Sequence, residues 1–176
     1  MGSRLTLVPL LLLGLSACAG PIETRVVSSG AGVPEAASIL AEAPPNSEVA
    51  ASAHKLVTGR LAERGFGQSP AGALQLHIAF AERDAAIAVR TRSGDQWADV
   101  SAAKPKKPLQ SCADREMRLT VTLTRIADGT ELYRGSAAEY HCKAQAANVL
   151  PSLVDAALAD LAGPKGAYRT MRQGLE

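Results

Sequence analysis

Two stretches of alternating apolar side chains set the strongest limit on how this chain folds. In residues 74–80 and again in residues 117–123, every second position is apolar. A period of two is typical of strands that rest one face on a core. A three-layer α/β fold requires strands that are apolar on both faces, and the chain contains none.

Two further stretches have the spacing of amphipathic helices. The first is capped by Asn46 or Ser47, runs to about Arg64 and is ended by Gly65. The second has Pro151 in its first turn and ends before Gly163-Pro164. The apolar faces of these helices comprise Val49, Ala53, Leu56, Val57 and Leu61 in the first, and Leu150, Leu153, Val154, Ala157, Leu158 and Leu161 in the second.

The remaining elements complete an α+β pattern. We expect strands over 22–29 and from Ile87 to near Arg92, a strand or a helical turn over 36–43, and a strand over 132–141. Asp128-Gly129 predicts the hairpin turn before the last of these, in which either Leu132 or Tyr133 faces inward. The predicted fold is a two-layer sandwich, a mainly antiparallel sheet of four to six strands with two helices on one face. Residues 22–163 form this single domain, and residues 164–176 form a polar C-terminal tail.

The N-terminus has the three-part layout of a secretory signal peptide. Arg4 supplies the positive charge, Leu5 to Leu15 is almost entirely apolar, and small residues follow. Eleven residues are too few to span a bilayer as a helix, which takes about 20. Pro9 in the middle of the run also argues against a buried core helix.

The end of this signal, Leu15-Ser16-Ala17-Cys18, closely resembles the lipobox of bacterial lipoproteins. The resemblance implies that residues 1–17 are removed, that Cys18 carries lipid, and that residues 18–21 tether the domain to a membrane. Ala19 resembles the sorting residue for outer-membrane delivery. The implied location is the bacterial cell envelope, on the outer membrane and facing the periplasm.

The resemblance extends to most of the mature chain at the level of pattern. An early strand, a helix that ends in Gly65-Phe66 and antiparallel strands are similar to small proteobacterial envelope lipoproteins. A more distant resemblance is to the lipoproteins that help to assemble lipopolysaccharide transporters. These families imply scaffolding or binding roles and supply no catalytic residues.

Cys112 and Cys142 are the two cysteines that remain. In an exported protein an even pair indicates a disulfide, although free thiols and metal ligands are the alternatives. A hairpin centred on Asp128-Gly129 places Cys112 opposite residue 145, three positions from Cys142. Modest curvature would bring the two sulfur atoms together.

The sequence contains no pattern typical of a catalytic, metal or nucleotide site. His141-Cys142 with His54 or His77 has no zinc-site spacing, no serine lies in a Gly-x-Ser-x-Gly elbow, and Gly30-Ala31-Gly32 opens no phosphate-binding helix. The 19 basic and 17 acidic side chains are nearly balanced, which argues against nucleic-acid binding. We therefore expect no enzyme activity, no metal and no cofactor.

Residues 93–111 read as a long surface excursion. It contains Trp97, Lys104, Lys106 and Lys107, which are predicted contacts for an envelope protein or for anionic lipid head groups. The alternatives are a solvated loop and a buried Trp97 that pins it. The predicted function is a structural or accessory binding role at the membrane; the alternative is a carrier that holds a lipid or other apolar ligand between sheet and helices.

Overall fold

A computed structural model describes residues 20–35, 37–40, 45–93, 95–106, 108 and 110–174. It confirms the α+β class: two helices pack on a curled, seven-stranded mixed sheet that forms a half-barrel. The elements are β1 (Ile22–Ser29), β2 (Ile39–Leu40), α1 (Glu48–Glu63), β3 (Gln68–Ser69), β4 (Leu74–Asp84), β5 (Val89–Ser93), β6 (Gln96–Ser101), β7 (Arg115–Arg125), β8 (Glu131–His141), α2 (Ala146–Ala157) and β9 (Gly166–Arg172).

The strand order of the main sheet is β3-β2-β4-β7-β8-β1-β9. The five successive strands β4, β7, β8, β1 and β9 pair antiparallel with one another, and the two-residue strands β2 and β3 add parallel pairs at the β4 edge. The main sheet has seven strands and not four to six, because β3 and β9 have no alternating pattern; β2 lies within residues 36–43, where a strand or a helical turn was expected. The first strand, β1, lies inside the sheet between β8 and β9.

The two faces of the sheet differ in chemistry. The inner face carries the apolar positions of β4, β7 and β8, and both helices pack on it. Leu119, Leu153 and Leu158 are fully buried in this layer. The opposite face, which we call the open face, carries the polar positions of the same strands, including Arg118, Thr120 and Ser136. The alternation in the sequence therefore predicted correctly which side chains of β4 and β7 face the core, but the sheet is curled into a half-barrel and is not one flat layer of a sandwich.

The expected polar C-terminal tail instead contains β9. Gly166 has φ +81°, a conformation that glycine adopts without strain, and residues 166–172 then pair with β1 along seven positions. Most of β9 is exposed, so its side chains show no apolar pattern from which a strand could be predicted. Backbone pairing and the ion pair between Arg172 and Glu139 hold it in place.

The first helix and the β7–β8 hairpin follow their sequence signals closely. Ser47 is the N-cap of α1, and Gly65 follows its end with φ +87°. Asp128-Gly129 forms the turn, but Leu123 pairs with Tyr133 and not with Arg134, so most of the hairpin lies one residue from the centred register, with a bulge between Leu123 and Thr124. Both Leu132 and Tyr133 are buried.

Two elements differ in extent from their predictions. The second helix begins at Ala146, so Pro151 lies in its second turn rather than its first, and it ends at Ala157 rather than just before Gly163-Pro164. Strand β4 continues through Glu82-Arg83-Asp84, where a turn was expected, because these residues pair with β7. The chain reverses only at residues 85–87.

Strand β5 lies where a strand from Ile87 to near Arg92 was expected, but it does not join the main sheet. It pairs with β6, which occupies the first part of the expected surface excursion of residues 93–111, and the two strands form the β5–β6 hairpin, a separate two-stranded sheet. Among the described residues, no helix is long and apolar enough to cross a membrane.

Candidate functional site

Five chain positions meet at one end of the sheet, which we call the proximal end because β1 starts there. The register pairs Ile22 with Arg172, Asp84 with Arg115, and Arg115 with His141. The β5–β6 hairpin leaves the sheet from this end and returns to it, since it connects the end of β4 with the start of β7. Strand β1 and the β5–β6 hairpin therefore start from the same end of the sheet.

A buried carboxylate with three arginines lies on the open face at the proximal end. Glu116 is 1% exposed, and its Oε2 accepts hydrogen bonds from Arg25 Nη2 at 2.8 Å, Arg83 Nη2 at 2.7 Å and Ser101 Oγ at 2.6 Å. Its Oε1 accepts from Arg118 Nε at 3.1 Å and Nη2 at 2.9 Å. We call Glu116 with these three arginines the Glu116 cluster.

The Glu116 cluster carries more positive than negative charge. Burial alone would raise the pKa of Glu116, but hydrogen bonds from Arg25 and Ser101 and the charge of Arg118 lower it to about 2. Glu116 is thus ionised at neutral pH, and one negative charge faces three guanidinium groups. Such a carboxylate can hold charged groups in place but is not suited to proton transfer near pH 7.

Tyr140 extends the cluster across β8. The Arg25 guanidinium lies 4.2 Å from the centroid of the Tyr140 ring, and Lys104 Nζ lies 4.5 Å from it. Lys104 also forms a 2.8 Å ion pair with Asp114. Arg83 donates to the carbonyl of Ile87 and the hydroxyl of Ser101, so the cluster also fastens both ends of the hairpin to the sheet.

The β5–β6 hairpin and the turn that precedes it expose apolar side chains. Trp97 is 63% exposed and Ile87 is 59% exposed. The Arg92 guanidinium lies 5.9 Å from the Trp97 ring centroid, across the strand pair. The alternative of a buried Trp97 that pins the excursion is therefore wrong.

The structure separates the four predicted contact residues. Trp97 and Lys106 are exposed, as a binding role requires. The ammonium group of Lys104 pairs with Asp114 and lies over the Tyr140 ring, so it is not free to contact a partner. Lys107 and Cys18, the predicted lipidation residue, lie outside the described residues.

Cys112 and Cys142 form a disulfide, with their Cα atoms 5.6 Å apart. The bridge joins the segment before β7 to the segment after β8. The disulfide therefore links the two sides of the β7–β8 hairpin at the proximal end, whereas the Asp128-Gly129 turn connects its strands at the other end.

A second buried carboxylate, Glu139, lies on the inner face at the proximal end. It accepts hydrogen bonds from Thr24 Oγ1 at 2.6 Å and Arg172 Nη2 at 2.6 Å, and His141 Nε2 is 2.8 Å away. Burial alone would raise its pKa, but the hydrogen bonds from His141, Arg172 and Thr24 lower it to about 2. Cys142 is in the disulfide, and no cluster of three His, Cys, Asp or Glu residues with metal-site geometry occurs in the described part of the chain.

Sequence reasoning missed the Glu116 cluster altogether. Arg25, Arg83 and Arg118 come from three strands, and each occupies an outward position that normally indicates a solvated side chain. The one local signal is Glu116 two residues before Arg118, on the same face of β7. Only the strand order brings the other two arginines to it.

An apolar groove lies at the opposite, distal end of the sheet. Its volume is about 450 Å³, and its walls include Pro34, Leu74, Ile126 and Leu132. Ile126 is 48% exposed there. The groove is outside the core between sheet and helices.

No protein-family model and no curated protein sequence matches the chain. The chain has a structural resemblance to the PelC dodecamer from Paraburkholderia phytofirmans, with 12% identity and a TM-score of 0.47 over 80% of this chain and 99% of that chain. A single-substitution PelC variant, also a dodecamer, gives 13% identity and a TM-score of 0.47 over 80% and 98% of the two chains. A PDZ domain protein from Parabacteroides distasonis gives 8% identity and a TM-score of 0.50, over 86% of this chain but only 39% of that chain. At this level of identity, the likeness to the PDZ domain protein concerns the fold alone.

Proposed function

We propose that this chain is a lipid-anchored protein of the bacterial cell envelope with a structural or accessory binding role and no catalytic one. The lipobox-like sequence before Cys18 supports the anchor and the outer-membrane location. The observation that carries the binding role is the position of the exposed β5–β6 hairpin at the proximal end.

The tether is short compared with the hairpin. Cys18 precedes Ile22 by four residues, so a fully extended tether reaches at most about 14 Å. The five residues of β5 extend about 17 Å at the rise of a strand. A lipid on Cys18 therefore holds the proximal end near the bilayer surface, within reach of the hairpin.

The exposed side chains suit such a place. Tryptophan is enriched where membrane meets water, because its ring is apolar and its N–H is polar. Lys106 and Lys107 follow the hairpin and add positive charge that attracts anionic head groups or an acidic protein. We assign contact with the membrane surface, or with a partner held there, to Trp97, Lys106 and Lys107.

The anchor is tested by metabolic labelling with a clickable fatty acid. Wild type should be labelled, whereas Cys18→Ser should not, because the acceptor sulfur is gone. Equal labelling of the two proteins would contradict the anchor.

The hairpin is tested separately, because Trp97 is the only tryptophan in the chain. When labelled wild type is reconstituted into vesicles, we expect brominated lipid chains to quench its tryptophan fluorescence. Ile87→Ser should reduce this quenching, whereas Ile126→Ser at the distal end should not. If the fatty-acid-labelled protein shows the same tryptophan fluorescence with and without brominated lipid, the anchor stands but membrane contact by Trp97 is refuted. If quenching appears only when an envelope protein is added, the hairpin contacts that protein.

The apolar groove supports the carrier alternative, in a different place from the one expected. The layer between sheet and helices is filled by side chains such as Leu119, Leu153 and Leu158. The distal groove has a volume in the range of small-molecule sites. If wild type binds a fatty acid saturably and Ile126→Asp abolishes that binding, the carrier function is favoured. If Ile126→Asp leaves the binding curve unchanged, the groove is not the carrier site.

A further inference from the structure

The Glu116 cluster has two positive charges more than its carboxylate can neutralise. Arg25, Arg83 and Arg118 share the single charge of Glu116. Their side chains are only 19–27% exposed, so water screens them less than it screens surface arginines. The nearby Lys104 adds no net charge, because Asp114 is its partner.

Two of these arginines lie in one row across the open face. Arg118 on β7 and Arg25 on β1 both pair with Ala138 on β8, which places their Cα atoms about 10 Å apart. Both side chains reach the same carboxylate between them. Their donating nitrogen atoms therefore lie within about 8 Å of each other, close enough for one multi-oxygen anion to contact both.

Both arginines have N–H groups to spare. Among the described residues, Arg25 forms one hydrogen bond, from Nη2 to Glu116, although a guanidinium has five donors. Arg118 Nη1 makes only a long contact of 3.4 Å to Ser136 Oγ. Arg83 differs, since it is used by Asp84, Ile87, Ser101 and Glu116. The available donors are thus on Arg25 and Arg118.

We infer that the open face binds a phosphate monoester between Arg25 and Arg118. Such a group carries about two negative charges at pH 7, which matches the excess of the cluster. Its oxygen atoms accept paired hydrogen bonds from guanidinium groups, and arginine is the preferred partner in that geometry. In the next row Thr120 Oγ1 donates to Ser136 Oγ at 3.2 Å, which leaves the Ser136 O–H as a further donor.

The source of the phosphate is either a dissolved ester or a lipid head group. Both fit the chemistry, and the second fits the proximal position of the cluster. This inference does not depend on the lipid anchor, so the unlipidated Cys18→Ser form serves for both arms of the test.

In the first arm, the protein is titrated separately with inorganic phosphate and with glycerol 3-phosphate. Binding is monitored through the NMR signals of the arginine Nε–H groups. Saturable shifts are expected. Arg118→Gln should weaken the affinity roughly tenfold or more, because one charge-assisted contact is lost. The matched control Arg134→Gln changes an exposed arginine on the same face, paired with Glu131, and should leave the affinity within about twofold.

In the second arm, the protein is sedimented with phosphatidylcholine vesicles with and without phosphatidic acid, whose head group is a phosphate monoester. Binding that requires phosphatidic acid and Arg118 identifies a lipid source, and binding confined to the first arm identifies a dissolved ester. If Arg118→Gln fails to fold, as judged by its melting curve, Arg25→Gln replaces it. Failure to saturate in both arms, or equal loss in Arg118→Gln and Arg134→Gln, would overturn the site.

Discussion

Replacing Glu139 by Gln tests how the C-terminal strand is held. The carboxylate is fully buried and binds Thr24 on β1, His141 on β8 and Arg172 on β9. Glutamine keeps the size and one acceptor oxygen but removes the charge. Because Arg172 donates to both carboxylate oxygens, the variant also replaces one acceptor by an NH₂ donor, so it tests the ion pair together with one of its hydrogen bonds.

The magnitude follows from the pKa of Glu139, which folding lowers from 4.5 to about 2. Since each pKa unit corresponds to 1.36 kcal/mol, the ionised form contributes about 3 kcal/mol to folding at neutral pH. A lowered folded-state pKa means that this contribution is complete above pH 4.5 and is lost as the pH falls towards 2. At pH 3 about 2 kcal/mol of it should be gone.

The assay is urea unfolding of wild type and Glu139→Gln at several pH values between 7 and 3. The difference in the free energy of unfolding should be about 3 kcal/mol at pH 7 and should shrink by about 2 kcal/mol at pH 3. Glu63→Gln is the control, because Glu63 lies on the surface of α1 beside Arg60 and should cost less than about 0.5 kcal/mol throughout. A difference that is independent of pH, or below about 1 kcal/mol at pH 7, would refute the reasoning.

Two further predictions concern covalent and steric constraints. Replacing Cys112 and Cys142 together by Ala should lower stability by roughly 3–4 kcal/mol, since the bridge closes a loop of about 30 residues in the unfolded chain; a urea midpoint that reductant does not move in wild type would contradict this. Gly135→Ala should cost about 1–3 kcal/mol in thermal or urea unfolding, because the added methyl group would meet the Ala157 carbonyl and the Tyr133 ring. Gly59→Ala in α1 is its control: the methyl group meets nothing within 4 Å and should stabilise the helix by up to about 1 kcal/mol, so equal losses in both variants would argue against the close approach at Gly135.

The parts of the fold that were predictable are those whose side chains face two environments. Strands β4 and β7 bury Leu76 and Leu119 and turn Gln75 and Thr120 to the open face, which leaves a period of two in the sequence. Helix α1 buries Ala53, Val57 and Leu61 and exposes its other side, which leaves a helical period.

Strand β9 and the Glu116 cluster produce no such periodic pattern in the sequence. β9 is an edge strand exposed on most of its length, so backbone pairing rather than side-chain burial decides its conformation. The cluster depends on β1 entering the sheet between β8 and β9, which brings Arg25 beside Arg118. Nor does local sequence show that Asp114 and Tyr140 engage Lys104, because those contacts are made across the fold.

The interior position of β1 also bears on the order in which the protein can be built. β1 is synthesised early, yet its two neighbours, β8 and β9, lie more than 100 residues further along the chain. It has no partner strand until Glu131–His141 has been made, and the sheet is incomplete until Gly166–Arg172 has followed. Contacts this distant in sequence make folding slow, because a long loop must close before they stabilise anything. The sheet can therefore be completed only after the last of these strands has been synthesised.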